Sequence, residues 1–370
     1  DPGWGLFDDR RSEGLMKALI AMSGGVDSSV AAYLMKREGC DCIGVTMRLY
    51  HNEDAGIPSS RTCCSLDDTE DARSVCFRLG IPYYVFDFSD DFRRQVIDRF
   101  ICAYENGATP NPCIDCNRYL KFDRLYRRAA ELGCDCIVTG HYARIEREGG
   151  RYLLKKATDP SKDQSYVLYS LTQEQLAHTR FPLGGMNKTE TRAIAEAEGF
   201  VNANKRDSQD ICFVPDGDYA RVIENHTGKT YPEGQFVDLH GNVLGRHKGI
   251  IHYTVGQRKG LGLALPEPMY VVEKQLDTNR VVLGRNEDLF TKELSAGDFN
   301  WIAYDENHLP ATVRVRARVR YQQKEQWATV TPVGKNEIRL VFDEAQRAIT
   351  KGQAVVLYDG DTVVGGGTIL

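Results

Sequence analysis

Short apolar runs alternate with amphipathic stretches through the first half of the chain. Ala18-Leu19-Ile20-Ala21-Met22 predicts a buried strand, Ser23-Gly24-Gly25-Val26-Asp27-Ser28 follows as a glycine turn, and the pattern over 28–38 predicts a helix. The phrase then repeats. Helical patterns end in Gly39, Gly80 and Gly133, each followed by an apolar run at 42–49, 83–88 and 136–139. Glycine just past a helix, then a buried strand, is the turn that joins helix to strand in a parallel sheet. The first half therefore predicts an α/β fold: an open, doubly wound parallel sheet with helices on both faces and ligands at the strand C-termini. A further helix is expected over 189–198, stopped by Gly199.

Past Cys212-Phe213 the pattern changes. Residues 216–276 are short segments rich in Gly, His and Lys and predict a small central domain. From 277 to 370 helical spacing gives way to short alternating strands at 280–283, 311–321, 327–331, 338–342 and 354–358, the signature of a small β-barrel. The expected organisation is 16–215, 216–276 and 277–370. Met16-Lys17 reads like a natural start, so residues 1–15 are set aside as an extension or an expression remnant.

With 370 residues, 42% of them hydrophobic and 27% charged, the chain can bury two or three cores, and no apolar run approaches the length of a membrane span. Net charge is −5, so affinity for nucleic acid has to come from local patches. Eleven Cys without a secretion signal point to a reducing, cytoplasmic setting, where Cys spacing means metal or catalysis more often than disulfides. The pairs Cys40/Cys42 and Cys134/Cys136 fall where strands begin, away from the ligand end of the sheet, and read as small buried hydrophobes.

The turn at 23–28 carries the first chemistry. A strand, a glycine turn and a helix aim free N–H groups and a partial positive charge at the turn, which suits phosphate. Gly24 and Gly25 let the backbone approach an anion, Ser23, Ser28 and Ser29 add hydroxyls, and Asp27 is placed to hold a metal ion that bridges phosphates. No Lys follows, which excludes the loop that cradles a γ-phosphate. SGGxDS after a strand resembles the pyrophosphate loop of the ATP pyrophosphatases.

Thr109-Pro110-Asn111-Pro112-Cys113-Ile114-Asp115-Cys116-Asn117 is the second informative stretch. Its two prolines predict a rigid loop that presents a Cys-x-x-Cys pair, with a helix over 118–132 whose N-terminal dipole acts on Cys116 and favours its thiolate. A zinc ribbon needs a second matching pair; Cys63-Cys64 is adjacent rather than spaced, and is a poor partner. Cys212, in Lys205-Arg206-Asp207-Ser208-Gln209-Asp210-Ile211-Cys212-Phe213, belongs to the same domain. In the barrel, Arg314, Arg316, Arg318 and Arg320 alternate with Val and Ala up to Tyr321. One face is expected to be a guanidinium row open to phosphate backbone, with Tyr321 as a stacking plane. A second basic stretch runs from Arg246-His247-Lys248 to Arg258-Lys259.

SGGVDSS, TPNPCIDCN, GHYAR, KDQSYVL, KRDSQDICF, HYTVGQRKGLG and GGGTI, in that order, together resemble the tRNA 2-thiouridylase family over the whole chain from Met16. The resemblance implies an ATP pyrophosphatase domain, a small central domain and a tRNA-binding C-terminal barrel. It also implies an activity: the wobble-uridine 2-oxygen is adenylated with ATP and Mg²⁺, then replaced by sulfur. Ala21, Met22, Ser23, Gly24, Gly25, Val26, Asp27 and Ser28 would hold the phosphates, and Met47 and Gly140 the adenine. Asn111, Pro112 and Cys113 would line the pocket for the flipped base. Cys116 would be the nucleophile and Cys212 the persulfide carrier, while His141, Lys162, Asp163, Gln164 and Gln353 would join the barrel Arg row on tRNA. Expected partners are tRNA and a sulfur donor, either a persulfide relay protein or a cysteine desulfurase, with no membrane and a monomer or weak dimer.

The family's commonest form has Asp where this chain has Cys113. Cys113, Cys116 and Cys212 therefore form either a persulfide pair with a third thiol, or three ligands of a 4Fe–4S cluster. Other adenylating enzymes of the superfamily, such as amide-forming synthetases or lysidine-type tRNA ligases, have no use for paired thiols.

Overall fold

The structure, a computed structural model, describes residues 14–50, 66–207 and 211–370. The Cys63-Cys64 pair, residues 1–13 of the expected extension and Ser208-Gln209-Asp210 lie outside the described residues. The chain divides into two compact units.

The first unit takes in residues up to Ile97, Pro112–Pro215 and Gly360–Val364. Its strands begin with β1 (Lys17–Ala21), β2 (Asp41–Arg48), β3 (Tyr83–Asp87) and β4 (Cys136–Val138). They continue with β5 (Ala143–Glu148), β6 (Arg151–Lys156) and β7 (Thr179–Arg180). β3, β2, β1, β4 and β7 form, in that order, an all-parallel sheet, as the glycine-punctuated pattern predicts. β5 and β6 are an antiparallel hairpin that the sequence reading missed. In the sheet register Ala18 lies between Cys42 and Cys136, both buried. Burial pushes the Cys42 thiol up to about 11 and that of Cys136 up to about 12, which suits a core role and not a nucleophile. Helix α1 (Val26–Arg37) buries Val30, Ala31, Ala32 and Met35. Its small residues let it pack close to the sheet, and its N-terminus stands at the C-terminal end of β1.

The second unit takes in Asp98–Asn111, Asp216–Asp359 and Gly365–Leu370. Strands β8 (Gly234–Val237), β9 (Val243–His247), β10 (Tyr270–Gln275) and β11 (Arg280–Gly284) make a four-stranded sheet in the order β10-β11-β8-β9. The strand at 280–284 thus pairs with β10 in the central sheet and not in the barrel, so a boundary at 276 would cut this hairpin. The barrel strands are β12 (Phe290–Trp301), β13 (Val313–Arg318), β14 (Gln326–Pro332), β15 (Ile338–Arg347), β16 (Ala354–Asp359) and β17 (Thr362–Ile369). They run in the order β12-β15-β14-β13-β16-β17, and β12 pairs with β17 to close the ring. At that seam a Cβ on Gly365 would lie 2.4 Å from the Asn300 carbonyl oxygen, and one on Gly367 2.8 Å from the Gly297 carbonyl oxygen and from Phe299. The glycine run of GGGTI is what lets the two strands meet.

Candidate functional site

β1 ends at Ala21, and residues 22–25 turn the chain into α1 with Gly25 as N-cap. Gly24 has φ +80°, and a Cβ there would lie 2.4 Å from the Asp68 carbonyl oxygen. Only glycine fits. Within the turn the hydroxyls of Ser23 and Ser28 are 3.2 Å apart, Ser23 N–H donates to Ser28 Oγ (3.1 Å), and Ser29 Oγ donates to the Gly25 carbonyl (2.9 Å). Gly140 backs onto the first turn of α1, where a Cβ would sit 2.7 Å from Ser28 N. The Met22 carbonyl accepts from Thr46 Oγ1 (2.8 Å), which ties the loop to β2, the strand that holds the buried Met47. The expected phosphate loop is therefore a tightly braced turn with the donor end of a twelve-residue helix behind it.

Around Asp27 the structure adds residues that the sequence reading did not single out. Lys188 Nζ lies 2.6 Å from Asp27 Oδ1 and 2.7 Å from Asp207 Oδ1. Tyr142 donates its hydroxyl to Asp27 Oδ1 (2.8 Å), and burial raises the Tyr142 pKa, so the phenol stays protonated. Asp207 also pairs with Lys162 (3.0 Å) and Arg192 (3.4 Å). Burial works against ionised Asp207, but the ammonium groups of Lys188 and Lys162 outweigh it and hold its carboxyl below the usual range. Behind the loop, Lys205 Nζ bridges Asp68 (2.5 Å) and Asp71 (2.7 Å) on the helix Leu66–Leu79. The blocks GHYAR, KDQSYVL and KRDSQDICF supply Tyr142, Lys162, Lys205 and Asp207, so their roles were signalled but not resolved by sequence.

The Cys-x-x-Cys stretch differs from its expectation. Helix begins at Pro112 rather than 118 and continues to residue 131, with Cys116–Leu125 wound as π-helix. Pro112 is tolerated because the first helical residue needs no N–H partner and its ring presets φ. Cys113, exposed, is thus in the first turn, and the half-buried Cys116 lies one turn further in. The dipole argument favours Cys113 over Cys116. Asn117 is buried and donates to the Val167 carbonyl (3.3 Å), which fixes the helix beside the KDQSYVL segment. Cys212 is half-buried, and its neighbour Phe213 packs edge-on against Phe92 (5.8 Å) in the helix Ser89–Phe92, which touches the 116–125 stretch. Among the described residues no three His, Cys, Asp or Glu side chains form a group that could hold a metal ion.

The residues expected on tRNA divide. His141 is buried, flanked by Phe122 and Phe181, with Nδ1 2.6 Å from Thr139 Oγ1, and burial drives its pKa well below the ordinary value. It has no surface to offer RNA. Asp163 accepts from the Ala157 N–H (3.0 Å) and Ser165 Oγ (2.9 Å), and Gln164 Oε1 from the Tyr142 N–H (2.9 Å). These two carboxylate and amide groups shape the backbone next to Tyr142. In the second unit the Arg row is not the bare strip its alternation suggested. Arg314 is chelated by Asp343, Arg318 pairs with the half-buried Glu325 (3.3 Å), and Arg320 turns inward to the Ala348 carbonyl (2.9 Å) and Thr350 (2.8 Å). The acids come from β15, two strands along the sheet, and from the turn after β13, where alternation along one strand cannot reveal them. Strand β13 ends at Arg318, before Tyr321. Arg316 is exposed over the Trp327 ring (4.9 Å), with Arg314 at 5.1 Å from the same ring. Gln353 donates to the Thr109 carbonyl (2.6 Å) and holds the start of the 109–112 segment. In the central segment His247 is also core, its Nδ1 accepting from the Gly249 N–H (3.1 Å).

Three family descriptions match the chain: "tRNA methyl transferase HUP domain" over 16–216, "tRNA methyl transferase PRC-barrel domain" over 220–285 and "Aminomethyltransferase beta-barrel domain" over 291–369. The tRNA-specific 2-thiouridylase MnmA of Clostridioides difficile (strain 630) is 54% identical over 355 residues, covering 95% of this chain and 98% of that protein. That of Lachnoclostridium phytofermentans is 51% identical over 358 residues (96% and 100%), and that of Clostridium botulinum (strain Alaska E43 / Type E3) is 50% identical over 353 (95% and 97%). With a braced pyrophosphate-type loop, a helix-borne Cys-x-x-Cys pair and relatives of this likeness along nearly its full length, the chain belongs to the tRNA-specific 2-thiouridylase family.

Proposed function

We propose that this chain is an ATP-dependent tRNA sulfurtransferase that converts a uridine of tRNA to 2-thiouridine, with release of AMP and pyrophosphate. The observation that carries the reading is the turn at 22–25: a left-handed glycine, two facing serine hydroxyls and a helix N-terminus, which together suit a pyrophosphate leaving group. Mg²⁺, when bound with the nucleotide, shares the charge of the phosphates, and Asp27 is the carboxylate that would hold it in this reading.

In the first half-reaction the uridine 2-oxygen attacks the α-phosphorus, the bond to pyrophosphate breaks, and the base becomes an adenylate with AMP as its leaving group. Pyrophosphate is drawn into the loop by Ser23, Gly24, Gly25 and Ser28. In the second half-reaction the terminal sulfur of a Cys212 persulfide attacks C2 and AMP departs. The Cys116 thiolate then takes the inner sulfur of Cys212 in a disulfide, leaving the outer sulfur on the base. A sulfur donor protein, through a relay or directly from a cysteine desulfurase, must recharge Cys212, and a thiol must reduce the disulfide. Asn111, Pro112 and Cys113 line the base pocket in this reading, Met47 and Gly140 bound the adenine, and the Arg316–Trp327 face of the barrel contacts RNA backbone. We assign the protein to the cytoplasm, as a monomer or weak dimer.

Persulfide delivery is preferred to a 4Fe–4S cluster because two thiols suffice for it, one to carry the sulfur and one to release it by closing a disulfide. The test is tRNA-dependent pyrophosphate release together with 2-thiouridine detected by mass spectrometry of digested tRNA. Pyrophosphate release coupled to an amine acceptor, without thiouridine, would assign the chain to an amide- or lysidine-forming class instead. Aerobic thiolation by iron-free protein would exclude the cluster route.

A further inference from the structure

The Gly24–Gly25 peptide is gripped from one side only. The Gly24 carbonyl oxygen accepts from Asn202 Nδ2 (2.9 Å) and from Lys205 Nζ (3.3 Å). In a trans peptide the carbonyl and the following N–H point in opposite directions. Fixing that carbonyl toward the 202–205 turn therefore fixes the Gly25 N–H toward the other side of the plane. There the N–H meets Ser23 Oγ in a long contact (3.4 Å), beside the Ser28 hydroxyl. A bond of that length is easily exchanged for a phosphate oxygen.

Both gripping residues are themselves immobilised. Asn202 is buried, and its Nδ2 also contacts Ser29 Oγ (3.0 Å) on α1. Lys205 is held by the Asp68 and Asp71 carboxylates; burial opposes its charge, but these two partners outweigh burial and raise its pKa. Its ammonium is committed to two carboxylates and one carbonyl, so it is not a free cation for phosphate. Glycine at 24 and 25 makes this peptide the easiest in the loop to flip, because both torsions beside it are unrestricted by a Cβ. A flipped peptide would present a carbonyl oxygen to an incoming phosphate and repel it.

We infer that Asn202 and Lys205 are positioning residues that lock the Gly24–Gly25 peptide with its N–H facing the anion site, so that the loop binds pyrophosphate without rearranging. The inference rests on the ATP-site reading above and deepens it, assigning preorganisation of the loop to a turn about 180 residues away in sequence.

Asn202→Asp keeps the shape of the side chain but puts an acceptor against the Gly24 carbonyl. Lys205→Met removes the second donor, and Lys205→Arg restores one. Inorganic pyrophosphate is titrated calorimetrically into the full-length protein with Mg²⁺, and ATP-dependent pyrophosphate release is followed in parallel. Asn202→Asp and Lys205→Met should each weaken pyrophosphate binding about tenfold or more, with tRNA affinity unchanged and Lys205→Arg recovering most of the loss. The double variant should be no worse than the weaker single variant, because both act on one carbonyl. A variant that loses tRNA binding and its folding transition together is set aside in favour of the other. Wild-type pyrophosphate affinity in folded Asn202→Asp or Lys205→Met overturns the inference and leaves the functional reading intact. Tight pyrophosphate binding by the wild type without thiouridine formation overturns the function and leaves the inference standing. No binding by the wild type overturns both.

Discussion

Lys188 Nζ stands between two carboxylates, 2.6 Å from Asp27 and 2.7 Å from Asp207, and so joins the first turn of α1 to the segment that leads to Cys212. Its side chain is largely buried while Asp207 is flanked by two further cations. Removing the ammonium leaves two partly buried carboxylates without their shared partner, a change of the costly kind. Lys188→Met should lower pyrophosphate release by about a hundredfold. Near-normal release in a steady-state coupled assay would show that the pair is only structural.

Within the loop itself, Asp27→Ala and Ser28→Ala should each cut tRNA-dependent pyrophosphate release by about two orders of magnitude while tRNA binding persists. Gly24→Ala combines a left-handed backbone with a contact to the Asp68 carbonyl and should be at least as severe. Filter binding and a pyrophosphate assay on the same preparations separate the two effects.

For the thiols, Cys116→Ser and Cys212→Ser should each eliminate 2-thiouridine, and the double variant should match either single one. Adenylation should survive in Cys212→Ser, seen as ATP–pyrophosphate exchange. Cys113→Asp should retain activity in air if sulfur arrives as a persulfide. Loss of both iron and activity in that variant would favour the cluster.

On the barrel, Arg316→Ala should weaken tRNA binding and reduce the salt slope by about one. Arg318 shares a half-buried pair with Glu325, and Arg318→Ala should instead lower the unfolding midpoint with little change in that slope. Equal salt slopes in wild type and Arg316→Ala would remove the Trp327 face from the RNA surface.

Acid stability should report the buried imidazoles. His141 and His247 are held neutral by burial, so their folded pKa values lie below the unfolded value of about 6.5. Above that value neither state is protonated and nothing is lost. Below it the unfolded chain gains protons first, and stability falls by up to about 1.4 kcal/mol per pH unit for each group. Denaturant melts of His141→Gln should show a shallower fall between about pH 6.5 and 5 than wild type. An unchanged slope would place the proton uptake elsewhere.

The parallel sheet and the loop at 23–28 were legible because their signals are local: apolar runs, glycine at fixed offsets, a helix start. The pairs Lys188–Asp27 and Lys205–Asp68 were not, because ion pairs between residues more than a hundred positions apart leave no spacing to read, and Asp207 meets its cations through the fold and not through a periodic spacing. Asp343 and Glu325 were hidden from the Arg row for a related reason: they lie 29 and 7 positions from their partners, on another strand and in a turn, where alternation along β13 does not reach. Pro112 misled in another way: proline breaks a helix in its interior but suits its first position, and two prolines in three residues argued for loop. Strand β12 was missed because polar and small residues dominate it, and its partners in the ring supply the burial.

The seam between β12 and β17 bears on how the chain is made. Until residues 362–369 leave the ribosome, the barrel is a sheet with two bare edges, one of them the twelve-residue β12. Such edges can pair with a neighbouring nascent chain. Bulk at Gly365 or Gly367 would hold that door open, so these glycines guard yield in the cell at a stage before any ATP or tRNA is met.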